Sequence, residues 1–163
     1  MIERTFVMLK PDGVKRAIVG DVIQRFEKAG LKLIGMKMKW VDEEFAKNHY
    51  TEDIAERRGE QVRKDLLIFV TEGPVVAMAW EGVSAIEVVR KIVGSTEPKA
   101  AQPGTIRGDY SHVSFAYADE KKIVVKNVIH ASSDKGDAER EVALWFSVDE
   151  LYQYPNVHDA HVL

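Results

Sequence analysis

The chain has 163 residues, a formal net charge of −3 at pH 7 and 45% hydrophobic residues. This length and composition are typical of one globular domain with a substantial core, so we expect a single domain over residues 1–163. The negative net charge offers no overall basic field for nucleic acid, and the absence of cysteine excludes disulfides. Since neither a long apolar run nor a signal peptide is recognisable, we expect a cytoplasmic protein with no membrane span.

The first half of the chain alternates predicted strands and helices. Apolar runs bounded by turn-forming residues predict the strands, and apolar residues at a period near 3.6 predict the helices. Gly30 is placed to end the first helix, a bulge is expected near Gly35, and Asp42 is placed to cap the second helix. These elements are a strand at 5–9, a helix beginning at 14, a strand at 31–40 and a short helix reaching 50.

The second half predicts a hairpin, a helix, a long loop and a final strand and helix. Residues 66–70 and 75–80 are apolar runs separated by Glu72-Gly73-Pro74, which favours a hairpin. Residues 94–111 are rich in Gly, Pro, Thr and Ser and form a loop that is too long for a mere connection. The other elements are a helix at 83–93, a strand at 123–129 and an amphipathic helix at 137–146.

The order of elements is β-α-β-α-β-β-α-loop-β-α. This order has five strands, one more than the ferredoxin-like motif; with the short helix set aside, we nevertheless interpret it as a ferredoxin-like βαββαβ fold of the α+β class. We expect a four-stranded antiparallel sheet with helices packed on one face. Because this fold carries enzymes, RNA-recognition modules and regulatory domains, the fold alone does not define the function.

One histidine stands at the end of the last predicted strand. His130 is followed by small residues, and Glu141 comes eleven residues later, near the start of the next helix. A carboxylate within folding reach would hold one ring nitrogen and leave the other free to attack, as in a nucleophile with its orienting partner. A core histidine satisfied by a nearby acid explains this segment equally well.

Basic and hydroxyl groups surround the long loop. Arg90 ends the helix before it, Thr96 and Arg107 lie within it, and Lys10 leaves the first strand. Guanidinium groups bind phosphate oxygens through two donors, and lysine acts as a mobile point charge. Each group taken singly is more typical of a surface charge. Together with a free histidine they indicate a polyphosphate site.

With these residues in order, the chain resembles the nucleoside diphosphate kinase family. The resemblance runs from residue 2 to about residue 147 and comprises several independent motifs. The matching positions are residues 4–6, 10–14, 49–50, 73–78 and 80–82, Thr96, Pro98, Pro103, residues 104–109, Asn127, His130, Ser132, Glu141 and residues 144–146.

The resemblance implies an enzyme that transfers the γ-phosphoryl group of a nucleoside triphosphate to a nucleoside diphosphate by a ping-pong mechanism with broad base specificity. It implies that His130 carries the phosphoryl group on Nδ1, that Glu141 holds the other ring nitrogen, and that Ser132 supports this carboxylate. Mg²⁺ would be held by the phosphates, with few or no protein ligands. The implied contacts with phosphate and ribose are Lys10, Tyr50, Arg90, Thr96, Arg107 and Asn127; Lys10, Tyr50 and Asn127 are also expected to serve catalysis.

Two segments depart from the family pattern. Near Val62, where many members have an aromatic residue that stacks on the base, we expect Val62 or a neighbour, with Leu66, to make an apolar contact instead. An insertion within residues 114–125 is predicted to form a protruding hairpin around residues 117–121, most simply a surface excursion. Asp134 is expected to replace, one residue later, an aspartate of the histidine motif.

The resemblance also implies a homo-oligomer, with a hexamer favoured over a tetramer. Two other interpretations of the fold are an RNA-recognition module and a scaffold that has lost catalysis. The first requires aromatic residues on its RNA-binding strands, and the strands at 5–9 and 124–129 offer only Phe6. The second requires loss of His130 or of an arginine, and all of these residues are present. The other histidines lack metal-ligand spacing, and the three tryptophans are expected in the core.

Overall fold

The computed structural model describes residues 1–161 as a four-stranded antiparallel sheet covered by helices. The strand order is β2-β3-β1-β4, as expected for a ferredoxin-like βαββαβ fold. Two short 3-10 turns, Pro98–Ala100 and Val148–Glu150, complete the chain. The elements are β1 (Ile2–Leu9), α1 (Pro11–Lys15), α2 (Val19–Lys28), β2 (Lys32–Lys39), α3 (Glu43–His49), α4 (Glu52–Arg58), α5 (Glu60–Thr71), β3 (Val75–Val83), α6 (Ala85–Val93), α7 (Ile106–Tyr110), α8 (Phe115–Lys121), β4 (Ile129–Ala131), α9 (Lys135–Trp145) and α10 (Val157–His161).

The two central strands are buried on both faces, which explains their continuous apolar sequences. β1 pairs with β3 along its whole length, and Thr5 lies opposite Trp80. β2 forms one edge, and the predicted irregularity near Gly35 is confirmed as a register shift between Leu33 and Gly35. Asp42 caps α3 as predicted, because its carboxylate accepts a hydrogen bond from the Phe45 N–H.

Helices cover both faces of the sheet, so the prediction of a single covered face was wrong. On one face, Val22 and Phe26 of α2 and Val89 of α6 belong to a core that includes Trp80. On the other face, Leu67 of α5 and helix α9 pack against a second core. The second layer arises because α9, which follows β4, crosses behind β1 and buries Val142 and Trp145 there.

The predicted strand at 66–70 is the last part of helix α5. Leu67, Phe69 and Val70 are buried, whereas Ile68 is 67% exposed, which fits a helix lying against the core. A five-residue apolar run does not by itself distinguish a strand from a buried helical segment. Without this strand the sheet has the four strands of the predicted fold, and β3 pairs with β1 and β2 instead.

Several other boundaries differ from the predictions. The helix beginning at 14 is two helices, α1 and α2, separated at Ala17, which has a φ of 57°. The predicted strand at 123–129 is reduced to the short β4, and α9 begins two residues before its predicted start. Trp80 and Trp145 are buried as predicted, but Trp40 is 67% exposed and donates its indole N–H to the Thr71 carbonyl.

The insertion at 114–125 contains a helix, α8, and the predicted hairpin was wrong. Ser114 caps this helix by accepting a hydrogen bond from the Tyr117 N–H at 3.1 Å. Lys122 ends it in the left-handed conformation with a φ of 52°. The segment between them contains no glycine, proline or asparagine, and the serine cap favours a helix start.

Candidate active site

One cavity of about 560 Å³ collects almost all of the predicted site residues. It opens between the end of β1, the helices α4 and α5, the loop after α6 and the segment leading into β4. Of the predicted residues only Ser132 does not line it, since Ser132 is fully buried behind Glu141. The predicted residues that line it are Lys10, Tyr50, Val62, Leu66, Arg90, Thr96, Arg107, Asn127, His130 and Glu141.

A strained turn at Val128 directly precedes β4 and His130. Val128 is fully buried and has a φ of 71°, which is an uncommon conformation for a β-branched residue. The Ile129 N–H donates to the Asn127 carbonyl at 2.8 Å, which closes a three-residue γ-turn. The Val128 N–H donates to the Asp12 carboxylate, and its carbonyl accepts from the Lys10 N–H. These three hydrogen bonds stabilise the strained conformation of Val128.

His130 is fixed by a carboxylate from α9. Its Nε2–H donates to Glu141, with Nε2 2.9 Å from Oε1 and 3.0 Å from Oε2. Because a carboxylate only accepts hydrogen bonds, the ring proton belongs on Nε2 and the lone pair on Nδ1. The side chain keeps 21% of its surface exposed, and it lines the cavity. A neutral His130 therefore has Nδ1 available for attack.

Glu141 is itself held on its far side. The Ser132 hydroxyl donates to Glu141 Oε2 at 2.7 Å, and the Phe6 N–H donates to the Ser132 hydroxyl at 3.2 Å. Burial would raise the pKa of Glu141, but the charge and hydrogen bond of His130, with the Ser132 bond, lower this pKa to about 2. The carboxylate is consequently ionised throughout the neutral range.

A second histidine, His49, lies against His130 and was assigned no role from the sequence. The ring centroids are 4.7 Å apart in an edge-on arrangement, and His49 is buried. Its Nδ1 accepts the Trp145 indole N–H at 3.2 Å, so its proton is on Nε2. Burial, with the neighbouring His130, places the pKa of His49 well below its usual value. His49 thus places an uncharged imidazole ring beside His130. The only sequence feature that linked His49 to the site was its position in the matching pair at residues 49–50.

His49, His130 and Glu141 also place three possible ligand atoms within 4.8 Å of one another. These groups do not suit a metal ion. The free nitrogen of His49 carries its proton, because the other accepts from Trp145, and both Glu141 oxygens already accept hydrogen bonds. Imidazole is in addition a poor ligand for Mg²⁺, which prefers oxygen.

Lys10 and Asn127 form a buried pair at the inner end of the cavity. Lys10 Nζ donates to Asn127 Oδ1 at 2.7 Å, and Asn127 Nδ2 donates to the Thr96 carbonyl at 2.9 Å. Burial, reinforced by the charge of Arg107, lowers the pKa of Lys10 to about 7. Asn127 therefore links the lysine to the loop that carries Thr96, and Lys10 is poised to gain a proton near an anion.

Arg107 is anchored by three carbonyl groups. Its guanidinium donates to Asn127 at 3.2 Å, to Gly94 at 3.1 Å and to Ile129 at 2.6 Å. A guanidinium has five N–H donors, so donors remain for a ligand in the cavity. Burial and the nearby positive charge of Arg90 lower the pKa of Arg107 to about 10, which leaves it charged at neutral pH.

The outer part of the cavity contains residues that the sequence did not indicate. Val62 and Leu66 of α5, which we expected from the sequence to contact the base, line this part of the cavity. The insertion lines it as well, through side chains of α8 and of the segment after it, so it is not a remote surface excursion. No sequence signal linked these residues to the site; they are Phe115, Ala118, Asp119, Ile123, Val124 and Val125.

Comparison with known proteins gives a consistent result. The family model "Nucleoside diphosphate kinase" matches residues 3–151. The nucleoside diphosphate kinase of Borreliella burgdorferi is 49% identical over 155 residues, covering 94% of this chain and 93% of that protein. The nucleoside diphosphate kinase of Pyrococcus abyssi is 49% identical over 157 residues, covering 96% of this chain and 92% of that protein.

Solved structures agree over nearly the whole chain. One, described as a transition state mimic of the Borrelia burgdorferi nucleoside diphosphate kinase with bound vanadate and ADP, superposes with a TM-score of 0.96 at 47% identity. It covers 98% of this chain and 96% of that chain. A halophilic nucleoside diphosphate kinase from Halobacterium salinarum in complex with CDP superposes with a TM-score of 0.86 at 43% identity. The match covers 100% of this chain and 99% of that chain.

Fold, cavity and comparisons together define an enzyme of the nucleotide phosphotransferase class. The chain belongs to the nucleoside diphosphate kinase family. The resemblance inferred from the sequence motifs is therefore confirmed, and so are the α+β fold class and the four-stranded antiparallel sheet.

Proposed function

We propose that this enzyme transfers the γ-phosphoryl group between nucleotides through a covalent intermediate on His130 Nδ1. The observation that carries the proposal is the Nε2–H bond to Glu141, which leaves the Nδ1 lone pair for the cavity. A nucleophile oriented by a second group in this way is the usual arrangement for covalent catalysis. The chemistry then requires positioning and charge neutralisation more than acid–base help.

Two half-reactions follow from this geometry. In the first, the Nδ1 lone pair attacks the γ-phosphorus, a P–N bond forms, and the bond to the bridging oxygen breaks so that the diphosphate leaves. In the second, a terminal oxygen of an incoming diphosphate attacks the same phosphorus, the P–N bond breaks, and its electron pair returns to Nδ1. Throughout, Nε2–H stays bonded to Glu141, which stabilises the positive charge that the ring carries while it is phosphorylated.

Cations at the inner end of the cavity would hold the phosphates. Lys10, Arg90 and Arg107 line it together, with the Thr96 and Asn127 side chains between them, and Tyr50 adds a phenol. We propose that Mg²⁺ is bound by the nucleotide phosphates rather than by protein ligands, since the one carboxylate beside His130 is fully engaged. When bound, the metal neutralises phosphate charge.

Initial-rate kinetics test this proposal. With ATP as donor and GDP as acceptor, the two half-reactions should give parallel double-reciprocal lines, because the two nucleotides never occupy the enzyme together. Intersecting lines would indicate direct transfer in a ternary complex and would exclude the intermediate. Binding of both nucleotides without transfer would instead support a catalytically silent nucleotide-binding or scaffold protein.

We also propose broad base acceptance, a cytoplasmic setting and a homo-oligomer, with a hexamer favoured. Broad acceptance is supported by the concentration of charged contacts at the phosphate end. The edge strand β2 supports assembly, because Met36 and Met38 on it and Trp40 directly after it are 53%, 64% and 67% exposed. Among residues 1–161, no helix has the length and apolar character that crossing a bilayer requires. Light scattering after size exclusion should find six chains per particle; a monomer would contradict assembly.

A further inference from the structure

The outer half of the cavity brings together apolar side chains that are otherwise half-exposed. Val62 on α5 is 39% exposed, Phe115 on α8 is 43% exposed, and Ile123 after α8 is 48% exposed. All three line the cavity whose inner end holds Lys10 and His130. Half-exposed apolar groups on both sides of one opening are typical of a binding surface for a flat apolar ligand.

Helix α8 is held by hydrogen bonds to the loop that follows α6 and carries Thr96. The Phe115 N–H donates to the Glu97 carboxylate at 2.8 Å, and the Lys99 N–H donates to the Val113 carbonyl at 3.2 Å. Ala118, in the middle of α8, is only 2% exposed. These bonds join the insertion to the segment directly after Thr96, so the position of Phe115 is linked to that of the phosphate site.

One carboxylate of this outer region is not engaged by the protein. Asp53 is bonded to Thr51 and Arg57, and Asp65 accepts from the Gln61 amide at 2.8 Å. Asp119 also lines the cavity, and within residues 1–161 its carboxylate makes no hydrogen bond or ion pair. Asp119 lies four residues after Phe115 on α8, so the two side chains share one face of the helix.

We propose that the insertion forms the base-recognition wall of this enzyme and confers a preference for guanine. In this arrangement Phe115 contacts the face of the base, opposite Val62 and Leu66, and Asp119 accepts hydrogen bonds from its Watson–Crick edge. The inference deepens the proposed function, on which it rests, because the base reaches this wall only when the phosphates lie at Lys10, Arg107 and His130.

The preference follows from the donors that each base presents. Guanine offers two adjacent donors, the N1–H and the N2 amino group, which match both oxygens of a carboxylate. Adenine and cytosine offer one amino group beside a ring acceptor. Uracil and thymine offer one N–H between two carbonyl oxygens, which a carboxylate repels. The expected order is guanine, then adenine and cytosine, then uracil, with every base still accepted because the phosphate contacts dominate.

The contribution of the aromatic face is tested by Phe115→Ala. Since stacking on an aromatic side chain favours all bases, kcat/KM should fall about tenfold for both GDP and UDP as acceptors. Tyr117→Ala is the matched control: Tyr117 is 50% exposed on the same helix but does not line the cavity, so this variant should keep the wild-type rates. Equal effects of the two substitutions would overturn the assignment of Phe115.

The contribution of the carboxylate is tested by Asp119→Asn. We expect wild-type kcat/KM for GDP to exceed that for UDP about tenfold, and this ratio to fall about fivefold in the variant. Glu120→Gln removes the same charge from the neighbouring position, which does not line the cavity, and should leave the ratio unchanged. A ratio that Asp119→Asn does not alter would overturn the base-edge contact.

Equilibrium binding separates this inference from the proposed function. GDP and UDP affinities measured by calorimetry for the same four variants should show the same pattern as the rates. Phosphoryl transfer in which Asp119→Asn leaves the GDP-to-UDP ratio unchanged and Phe115→Ala lowers neither rate would refute the base-recognition wall and leave the histidine mechanism intact. Absence of transfer, with GDP affinity still reduced by Asp119→Asn, would refute the mechanism and support the wall.

Discussion

The two ends of the cavity are built in different ways. At the inner end, where we propose that the phosphates bind (the phosphate end), Lys10, Asn127, Arg107 and Glu141 are buried, and their polar groups are hydrogen-bonded to one another, to other side chains or to the backbone. At the outer end, where we propose that the base binds (the base end), half-exposed apolar groups from α5 and α8 line the same cavity. The charged end is therefore preorganised, whereas the outer end is adaptable.

This difference assigns different tasks to the two ends. Phosphoryl transfer develops charge at one place, and fixed donors in a buried site stabilise it without reorganising. Bases differ in size and in hydrogen bonding, so a partly open apolar surface accepts all of them with modest differences. Substitutions at the phosphate end should consequently affect all nucleotides alike, and substitutions at the base end should change the ratios between them.

The largest effect at the phosphate end should come from His130→Ala. Removing the nucleophile should lower kcat at least about 10⁴-fold, because no other group replaces Nδ1. GDP affinity, measured by calorimetry, should stay within a few-fold of wild type since the cations remain. His112→Ala, on an exposed residue outside the cavity, is the control and should retain full activity. Substantial transfer by His130→Ala would show that another group carries the phosphoryl.

Arg107→Ala should have the next largest effect. It removes a buried charge and three donors to carbonyl groups, so kcat/KM should fall about 100-fold or more, equally for GDP and UDP. Urea unfolding should also show a loss of stability, because buried carbonyls lose their partners. Arg90→Ala, at an exposed cation of the same cavity, should lower the rate less and keep the stability. A loss confined to one base would contradict a phosphate contact.

Glu141→Gln tests the orientation of the histidine. The amide has nearly the same size as the carboxylate but lacks its charge, so the phosphorylated ring is less well stabilised. We expect kcat to fall about 100-fold while KM changes little. The fall in kcat should be the same with GDP and with UDP as acceptor. An unchanged kcat would remove Glu141 from the mechanism, whatever its effect on stability.

The smallest effect concerns protonation of Lys10. Its pKa of about 7 in the free enzyme leaves the amine mostly neutral at pH 8, and bound phosphate should raise this pKa again. Binding of GDP at pH 8 should thus take up close to one proton, and binding at pH 6 almost none. Calorimetry in buffers of different ionisation enthalpy measures this uptake, and Lys10→Arg, which stays charged, should abolish it. Uptake that persists in Lys10→Arg would assign the proton elsewhere.

The same contrast explains what the sequence could predict. Lys10, Arg107 and His130 lie in short motifs next to strands, where local spacing and buried runs fix their places. The partnership of His49 with His130, and the entry of Phe115 and Asp119 into the cavity, depend on packing between distant segments. The apolar run at 66–70 is too short for its period to distinguish a strand from a helix. The helix in the insertion begins at a serine cap that was not recognised in the sequence. Tertiary packing settled each of these.

The most direct test of the histidine mechanism is incubation with γ-labelled ATP and Mg²⁺ without an acceptor. The enzyme should acquire label that is labile in acid, stable in base, and discharged by GDP as labelled GTP. The label should be absent from His130→Ala and present in His112→Ala. Unlabelled protein that still binds nucleotide, or label that survives acid, would contradict a phosphohistidine on His130.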